Sequence, residues 1–167
     1  HAGRQFDALW HYLASKPTSS RAFVRRWAVD DLAGKLDGLA SGRSFDRGKE
    51  LFRTMSCAQC HKVKGDGGTI GPDLTEIATK HQPNAMLTEL LDPSAVIEEK
   101  YRKHLIFTKD NDIIDGLLVK EDADALYVVE DALDPTEITT VLREDIDERR
   151  RSDTSSMPTG LLDTLTE

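Results

Sequence analysis

Residues 57–61 read Cys57-Ala-Gln-Cys60-His61, and this stretch holds both cysteines of the 167-residue chain. At this spacing two thiols lie one helical turn apart, and a histidine follows directly. The pattern is typical of covalent haem attachment, in which each thiol binds one vinyl group of the same porphyrin. The histidine then lies under the iron and supplies a nitrogen ligand. The sequence therefore predicts one covalently bound haem c on Cys57, Cys60 and His61.

Two other uses of a C-x-x-C pair agree less well with the sequence. A structural zinc site needs about four ligands, usually two such pairs or a cysteine pair with a spaced histidine pair. This chain has no second cysteine pair, and its other histidines form no H-x(3–5)-H pair. A thioredoxin-like dithiol follows a strand in a βαβ pattern, whereas the residues before Cys57 have helical periodicity. An interaction module with a Cys57/Cys60 disulfide or dithiol stays as the non-haem alternative.

Composition excludes several classes of function. The formal net charge of −8 argues against a nucleic-acid binder, which needs a basic face. No segment approaches the roughly 20 apolar residues of a membrane span, and His1-Ala-Gly-Arg4 does not open a signal peptide. We therefore expect neither a nucleic-acid partner nor a membrane span, and we expect the sequence to be a fragment of a longer chain.

Apolar residues recur with helical periodicity in the N-terminal two-thirds of the chain, and Pro83 and Pro93 suit the first turns of two short helices. A linker at 40–43 separates a predicted N-terminal helical extension, residues 1–43, from a haem domain over 44–167. Helices are expected at about 6–13, 23–39, 45–56, 73–80, 83–91 and 93–100. The glycine-rich loop 65–68 lacks the preceding strand and the Gly-Lys-Ser/Thr ending of a phosphate loop, and its glycines suit close folding over a haem edge.

From Tyr101 the periodicity changes from helical to alternating. Four β-branched or aromatic runs, parted by polar turns, predict an antiparallel meander at about 101–142; they are 105–107, 113–119, 126–129 and 138–141. The charged run 143–151 is expected to be a solvated exit from this sheet. The predicted fold is therefore mainly α, with cytochrome c-like helices around a covalent haem, extra N-terminal helices and an inserted β-meander.

A haem iron held by one histidine needs a second ligand to close its other face, and methionine or histidine is the usual choice. Met157 is the first candidate, because it lies in a polar loop before Pro158 and not on an apolar stripe. Met55 and Met86 fall on the apolar faces of predicted helices, where packing explains them.

Histidines offer the other candidates for the second ligand. His104, at the start of the first predicted strand, is the rival to Met157. His81, at the end of a short helix, is a weaker candidate. The β-meander separates the short helices from the methionine loop, so a five-coordinate iron stays open as an alternative.

Three motifs together resemble the opening of a class I cytochrome c. They are Gly48-Lys-Glu-Leu-Phe52, Cys57-Ala-Gln-Cys60-His61 and Gly71-Pro72-Asp-Leu74. The resemblance implies that the Pro72 carbonyl accepts a hydrogen bond from the haem-ligating His61 and raises its basicity. It also implies that the helix with Gly48 and Phe52 crosses a C-terminal helix.

The resemblance narrows to the haem-binding domain of the Planctomycetes and Verrucomicrobia type, from about Phe23 to the C-terminus. The motifs that carry it are Phe23-Val-Arg-Arg-Trp27, Asp30-Asp-Leu32, Gly71-Pro-Asp-Leu-Thr75, Leu91-Asp-Pro-Ser94, Tyr101, Asp115-Gly116 and Ser156-Met-Pro-Thr-Gly-Leu-Leu162. In that family the cytochrome module usually ends a long secreted protein, behind a propeller-type dehydrogenase-like domain or helical repeats. The family's terminal helix is apparently absent here, since the sequence ends at Glu167. We expect that helix either to have been cut away or to be replaced by a second chain in a homodimer.

These observations predict a one-electron carrier and not an enzyme. The haem would pass electrons from a fused or partner dehydrogenase to another acceptor, in the periplasm or another extracytoplasmic space. The alternative is a ligand-binding or sensor haem with an open or displaceable sixth position. A peroxidase-like activity would need a polar acid/base group beside an open iron, and His104 is the one residue worth substituting for that role.

Overall fold

A computed structural model describes residues 22–39 and 41–166. The helix expected at 6–13 lies outside these residues. Five short helices occur in the described chain: α1 (Val29–Ala33), α2 (Phe45–Thr54), α3 (Cys57–Cys60), α4 (Ile77–Lys80) and α5 (Pro83–Leu91). Short 3-10 turns are found at Leu36–Gly38, Glu99–Tyr101 and Arg143–Asp145. The helix predicted over 83–91 is confirmed at both ends as α5. Pro83 occupies its first turn, as expected.

Strands form two sheets of different size. The strands are β1 (Lys62–Val63), β2 (Asp66–Gly67), β3 (His104–Thr108), β4 (Ile113–Glu121), β5 (Ala125–Val129), β6 (Thr139–Leu142) and β7 (Ile146–Arg151). β1 and β2 form a small antiparallel hairpin directly after the cysteine motif. The other five strands form an antiparallel sheet with the order β6-β5-β4-β3-β7. After β6 the chain therefore returns to the opposite edge of the sheet, where β7 pairs with β3, the first strand of the meander.

The prediction of a mainly α fold is wrong. A five-stranded sheet accounts for almost as much of the described chain as the five short helices do. One reason is that two stretches with helical periodicity are largely not helical: residues 22–28 and residues 93–98 are irregular. The other reason is a strand that the periodicity did not predict. The protein is therefore a mixed α and β structure.

That additional strand is β7. It lies in the charged run 143–151, which was expected to be a solvated segment that leaves the sheet. Its sequence, Ile-Asp-Glu-Arg-Arg-Arg, has almost no apolar content, so alternation alone does not reveal it. β7 pairs with β3, with Ile106 opposite Arg149. The Arg150 guanidinium lies over the Phe107 ring at 4.8 Å. A charged edge strand protects the sheet from pairing with other chains, and the sheet extends to residue 151 rather than ending at 142.

The hydrophobic core lies within the sheet. Ile106, Leu126, Val128 and Val141 are buried and form one cluster. Gly116 allows β4 to approach β5 closely, because a Cβ there would lie 2.5 Å from Val128 Cγ1. These four residues come from three strands, β3, β5 and β6, so the insertion has a core made by its own side chains.

The N-terminal segment is attached to the other end of the described chain. Trp27 is buried, and its Nε1 donates a hydrogen bond to the Leu165 carbonyl at 3.2 Å. The backbone N–H groups of Val24 and Arg25 donate to the Asp163 carbonyl at 2.8 and 3.2 Å. These long-range bonds explain why residues 22–28 are not helical. The boundary proposed at residue 43 stays a prediction.

Candidate functional site

The cysteine motif forms a helical turn of its own directly after α2. The Ser44 hydroxyl caps α2 by accepting from the Arg47 N–H at 3.2 Å. Ser56 follows α2 with a φ of 64°, a left-handed conformation that separates it from α3. The His61 N–H donates to the Cys57 carbonyl at 2.9 Å and closes the turn. One turn of helix therefore presents both thiols and the imidazole.

The two thiols are free and half-buried. Burial raises the pKa of Cys57 and of Cys60, and the nearby charge of Asp131 raises the pKa of Cys60 further. Both thiols are therefore protonated at neutral pH. A redox dithiol needs the opposite, a thiol whose pKa is lowered so that it reacts as the thiolate. This environment argues against the dithiol alternative.

The imidazole of His61 is held by the backbone of a following turn. Its Nδ1 lies 2.9 Å from the Pro72 carbonyl oxygen, so the Nδ1–H tautomer donates a hydrogen bond there. This is the contact that the resemblance implied. Gly71 lies beside the ring, and a Cβ at this position would come within 3.0 Å of Cε1. The ring is thus fixed at one edge, and Nε2 is the nitrogen left to face a metal.

The glycine-rich loop packs against the backbone of the motif. The Gly68 N–H donates to the Ala58 carbonyl, and the Gly71 N–H donates to the Cys60 carbonyl, each at 2.9 Å. A Cβ at Gly68 would lie only 1.8 Å from the Gln59 carbonyl oxygen. We expected these glycines to permit close folding over a haem edge; the close approach in the structure is to the motif itself.

A loop of the insertion reaches the motif, which the sequence did not predict. The Ala132 carbonyl oxygen, in the β5–β6 loop (residues 130–138), lies 3.4 Å from Cys60 Sγ. Pro135 and Ile138 of this loop also line a cavity of about 660 Å³, whose lining includes residues of the glycine-rich loop. The contact joins residues 72 positions apart, so no local pattern could have indicated it.

Met157, the expected sixth ligand, is half-buried in the irregular segment after β7. Its N–H donates to the Ser155 hydroxyl at 3.1 Å, and the Ser155 N–H donates to the Ser94 hydroxyl at 3.1 Å. The Ser152 N–H donates to the Lys103 carbonyl at 2.9 Å. The hydrogen bonds described for this loop, which include one from Arg102 to the Ser152 carbonyl, therefore join it to residues 94, 102 and 103 and not to the motif.

His104, the rival ligand, is buried at the start of β3 with 2% of its surface exposed. Its Nδ1 accepts a hydrogen bond from Arg149 Nε at 2.6 Å, and its Nε2 lies against the Arg151 guanidinium. Burial, together with these two positive charges, lowers the pKa of His104 to about 4, although Glu121 and Glu99 act in the opposite direction. His104 is therefore neutral at physiological pH.

This environment predicts a pH-dependent stability. His104 takes up a proton at about pH 6.5 in an unfolded chain but only at about pH 4 in the folded protein. The unfolded state thus binds more protons in this window, so the free energy of unfolding falls as the pH drops from about 6.5 to about 4. We expect wild type to lose about 2 kcal/mol more than His104→Asn between pH 7 and pH 5, measured by urea unfolding. An equal loss in both proteins would contradict this origin of the pH dependence.

The residues around the motif have the chemistry that a covalent haem requires. Cys57 and Cys60 offer two free thiols on one helical turn, and His61 offers a nitrogen whose ring is already oriented. Within residues 22–39 and 41–166, no group of three or more His, Cys, Asp or Glu side chains could hold a metal ion. The site is thus suited to a metal that arrives inside a porphyrin, and a zinc site built from side chains gains no support.

Residues 45–127 match the family model for cytochrome c. The matched stretch starts with α2, contains the motif and Pro72, and ends within β5. The match supports a cytochrome c domain over these residues. The cofactor of such a domain is covalently bound haem c, as predicted from the motif. No curated protein matches the chain.

Cytochrome c domains usually exchange electrons with redox partners and are typically extracytoplasmic. The match to the family includes β3 and β4, so part of the sheet lies inside the matched range of this cytochrome c domain. It ends before Met157, which the family match therefore does not cover. In the described parts of the chain, no helix has the length and apolar character needed to cross a membrane.

Proposed function

We propose that this cytochrome c domain is a one-electron carrier of the Planctomycetes and Verrucomicrobia type. In this proposal Cys57 and Cys60 would anchor the haem, and His61 and Met157 would be the two protein ligands of its iron. The observation that carries it is the 2.9 Å contact of His61 Nδ1 with the Pro72 carbonyl, on the same turn as two free thiols. When bound, haem c supplies an iron that alternates between the ferrous and ferric states.

The protein's part in this chemistry is to hold the ligands still. The Pro72 carbonyl accepts the Nδ1–H of His61, which leaves Nε2 as the nitrogen that would bind the iron. This hydrogen bond would also make the imidazole a stronger donor. Gly71 leaves room for this ring orientation. A ligand fixed in both oxidation states needs little rearrangement on electron transfer.

The surroundings of the two candidate sixth ligands favour Met157. Both ring nitrogens of His104 face arginines, Arg149 and Arg151, within the sheet. Binding an iron would require His104 to leave these contacts and its buried position. Met157, in contrast, lies in a loop that is held by hydrogen bonds to the hydroxyl groups of neighbouring residues. Its thioether sulfur is only a weak hydrogen-bond acceptor, so hydrogen bonding competes little with iron binding.

Replacing Met157 by alanine tests the sixth ligand. Because a thioether favours the ferrous state, we expect the midpoint potential to fall by on the order of 100 mV, a fraction of the range that axial ligands cover. The weak long-wavelength band of methionine-ligated ferric haem should disappear, and the reduced variant should bind carbon monoxide rapidly.

Met86→Ala is the matched control, because it removes the same side chain from a half-buried position on α5. Its spectrum, its potential and its slow response to carbon monoxide should remain those of wild type. A wild-type protein that already binds carbon monoxide rapidly, with no change on Met157→Ala, would contradict Met157 as the ligand.

That contrary outcome would support a second function, a sensor haem with an open sixth position. The observation in its favour is that the hydrogen bonds of the Met157 loop join it to Ser94, Arg102 and Lys103 rather than to the motif. For the carrier, the proposed donor is a fused or partner dehydrogenase and the proposed location is the periplasm. A homodimer in which a second chain covers the Gly48 and Phe52 face also belongs to this proposal.

A further inference from the structure

The β5–β6 loop lies directly on one of the two haem-anchoring thiols. Its Ala132 carbonyl oxygen is 3.4 Å from Cys60 Sγ. The residue before it, Asp131, carries an exposed carboxylate and is one peptide bond away from this contact. The loop belongs to the β insertion, so the insertion contributes to the surroundings of the motif.

Hydrogen bonds within the loop hold the Asp131 carboxylate in place. Its Oδ1 accepts from the Leu133 N–H at 2.8 Å, and its carbonyl accepts from the Asp134 N–H at 3.0 Å. At the base of the loop, the Glu130 carboxylate accepts from the Thr139 hydroxyl at 2.6 Å. The negative charge therefore has a defined position within the loop whose Ala132 carbonyl contacts Cys60.

A group that touches Cys60 Sγ is a neighbour of the porphyrin edge, because this sulfur is bonded to that edge in the loaded protein. The ferric haem carries one positive charge more than the ferrous haem. A carboxylate close to the edge consequently stabilises the ferric state and opposes reduction, and this effect decreases with distance.

We propose that the β5–β6 loop forms one wall of the haem site and that Asp131 lowers the midpoint potential of the haem. This inference rests on the proposed attachment of haem at Cys60, but it does not depend on which residue is the sixth ligand. It gives the β insertion a function in the redox chemistry. Asp131 acts through the haem's electrostatic environment and is not a ligand.

The test compares Asp131→Asn with Asp134→Asn in the haem-loaded protein. Both changes remove one negative charge from the same exposed loop, and both keep a side-chain oxygen to accept the local hydrogen bonds, from Leu133 and Thr136 respectively. Voltammetry gives the midpoint potential of each. We expect an upward shift for Asp131→Asn about twice as large as that for Asp134→Asn, since the interaction falls with distance from the haem edge.

Asp131→Glu provides the rescue control, because it restores the charge and should restore a potential close to that of wild type. Equal shifts for the two asparagine variants, or no shift for Asp131→Asn, would overturn the proposal and leave the loop with a structural role only. If denaturing mass spectrometry finds no covalent haem on the wild-type chain, the proposed function fails and this inference fails with it. A haem-loaded, redox-active protein with equal shifts means that the inference alone is wrong.

Discussion

A protein in which Cys57 and Cys60 are both replaced by serine is expected to carry no covalently bound haem. Thioether formation needs the sulfur nucleophile, and a serine hydroxyl at the same position does not take its place. His61 alone would hold the iron only reversibly. Denaturing mass spectrometry should then detect the bare polypeptide, whereas the wild-type mass should include one porphyrin.

The single variants separate the contributions of the two anchors. Cys57→Ser and Cys60→Ser should each keep one thioether and so retain the haem mass, in lower yield. Met157→Ala serves as a matched control, because it alters a proposed ligand without touching the covalent bonds. A double serine variant that still carries the haem mass would show that another residue attaches the porphyrin.

Replacing Gly68 by alanine is expected to disrupt the motif, although Gly68 has no side chain that could bind the haem. The added Cβ would lie 1.8 Å from the Gln59 carbonyl oxygen and 2.6 Å from its carbon, which are backbone atoms that cannot rotate away. Overpacking of this kind costs about 3 kcal/mol or more when the backbone has to move. Urea unfolding should detect the loss of stability, and the yield of haem-loaded protein should fall with it.

Gly34→Ala is the control for this substitution. Gly34 has a φ of −67°, which alanine adopts without strain, and no atom lies within 4 Å of the position that the Cβ would occupy. Its stability should stay within about 0.5 kcal/mol of wild type, as for most surface substitutions. If Gly68→Ala behaves like Gly34→Ala, the glycine-rich loop does not pack against the motif as the structure has it.

The haem attachment could be predicted because its residues are consecutive. Cys57, Cys60 and His61 share one helical turn, so their geometry depends only on local backbone structure. The same holds for α5, where Pro83 sets the first turn. The contact between His61 and Pro72 crosses 11 residues and was implied by the family resemblance, not by spacing.

The errors in the predicted fold arose where distant segments decide the conformation. Residues 22–28 have the apolar spacing of a helix, yet they are not helical because this segment forms hydrogen bonds with Asp163 and Leu165. β7 has a charged sequence and becomes a strand because β3 offers it a free edge. Pairing energy of this kind is set by the partner, so a local pattern cannot indicate it.

The amino-acid sequence by itself determined the covalent chemistry of this protein. Two thiols and an imidazole within five residues specify a haem attachment whatever fold the rest of the chain adopts. The tertiary structure decided what surrounds that attachment. It brought Pro72 to His61, Gly68 to Gln59 and Ala132 to Cys60. These contacts depend on how the hairpin and the sheet pack against one helical turn, and packing between segments far apart in sequence leaves no periodicity to read.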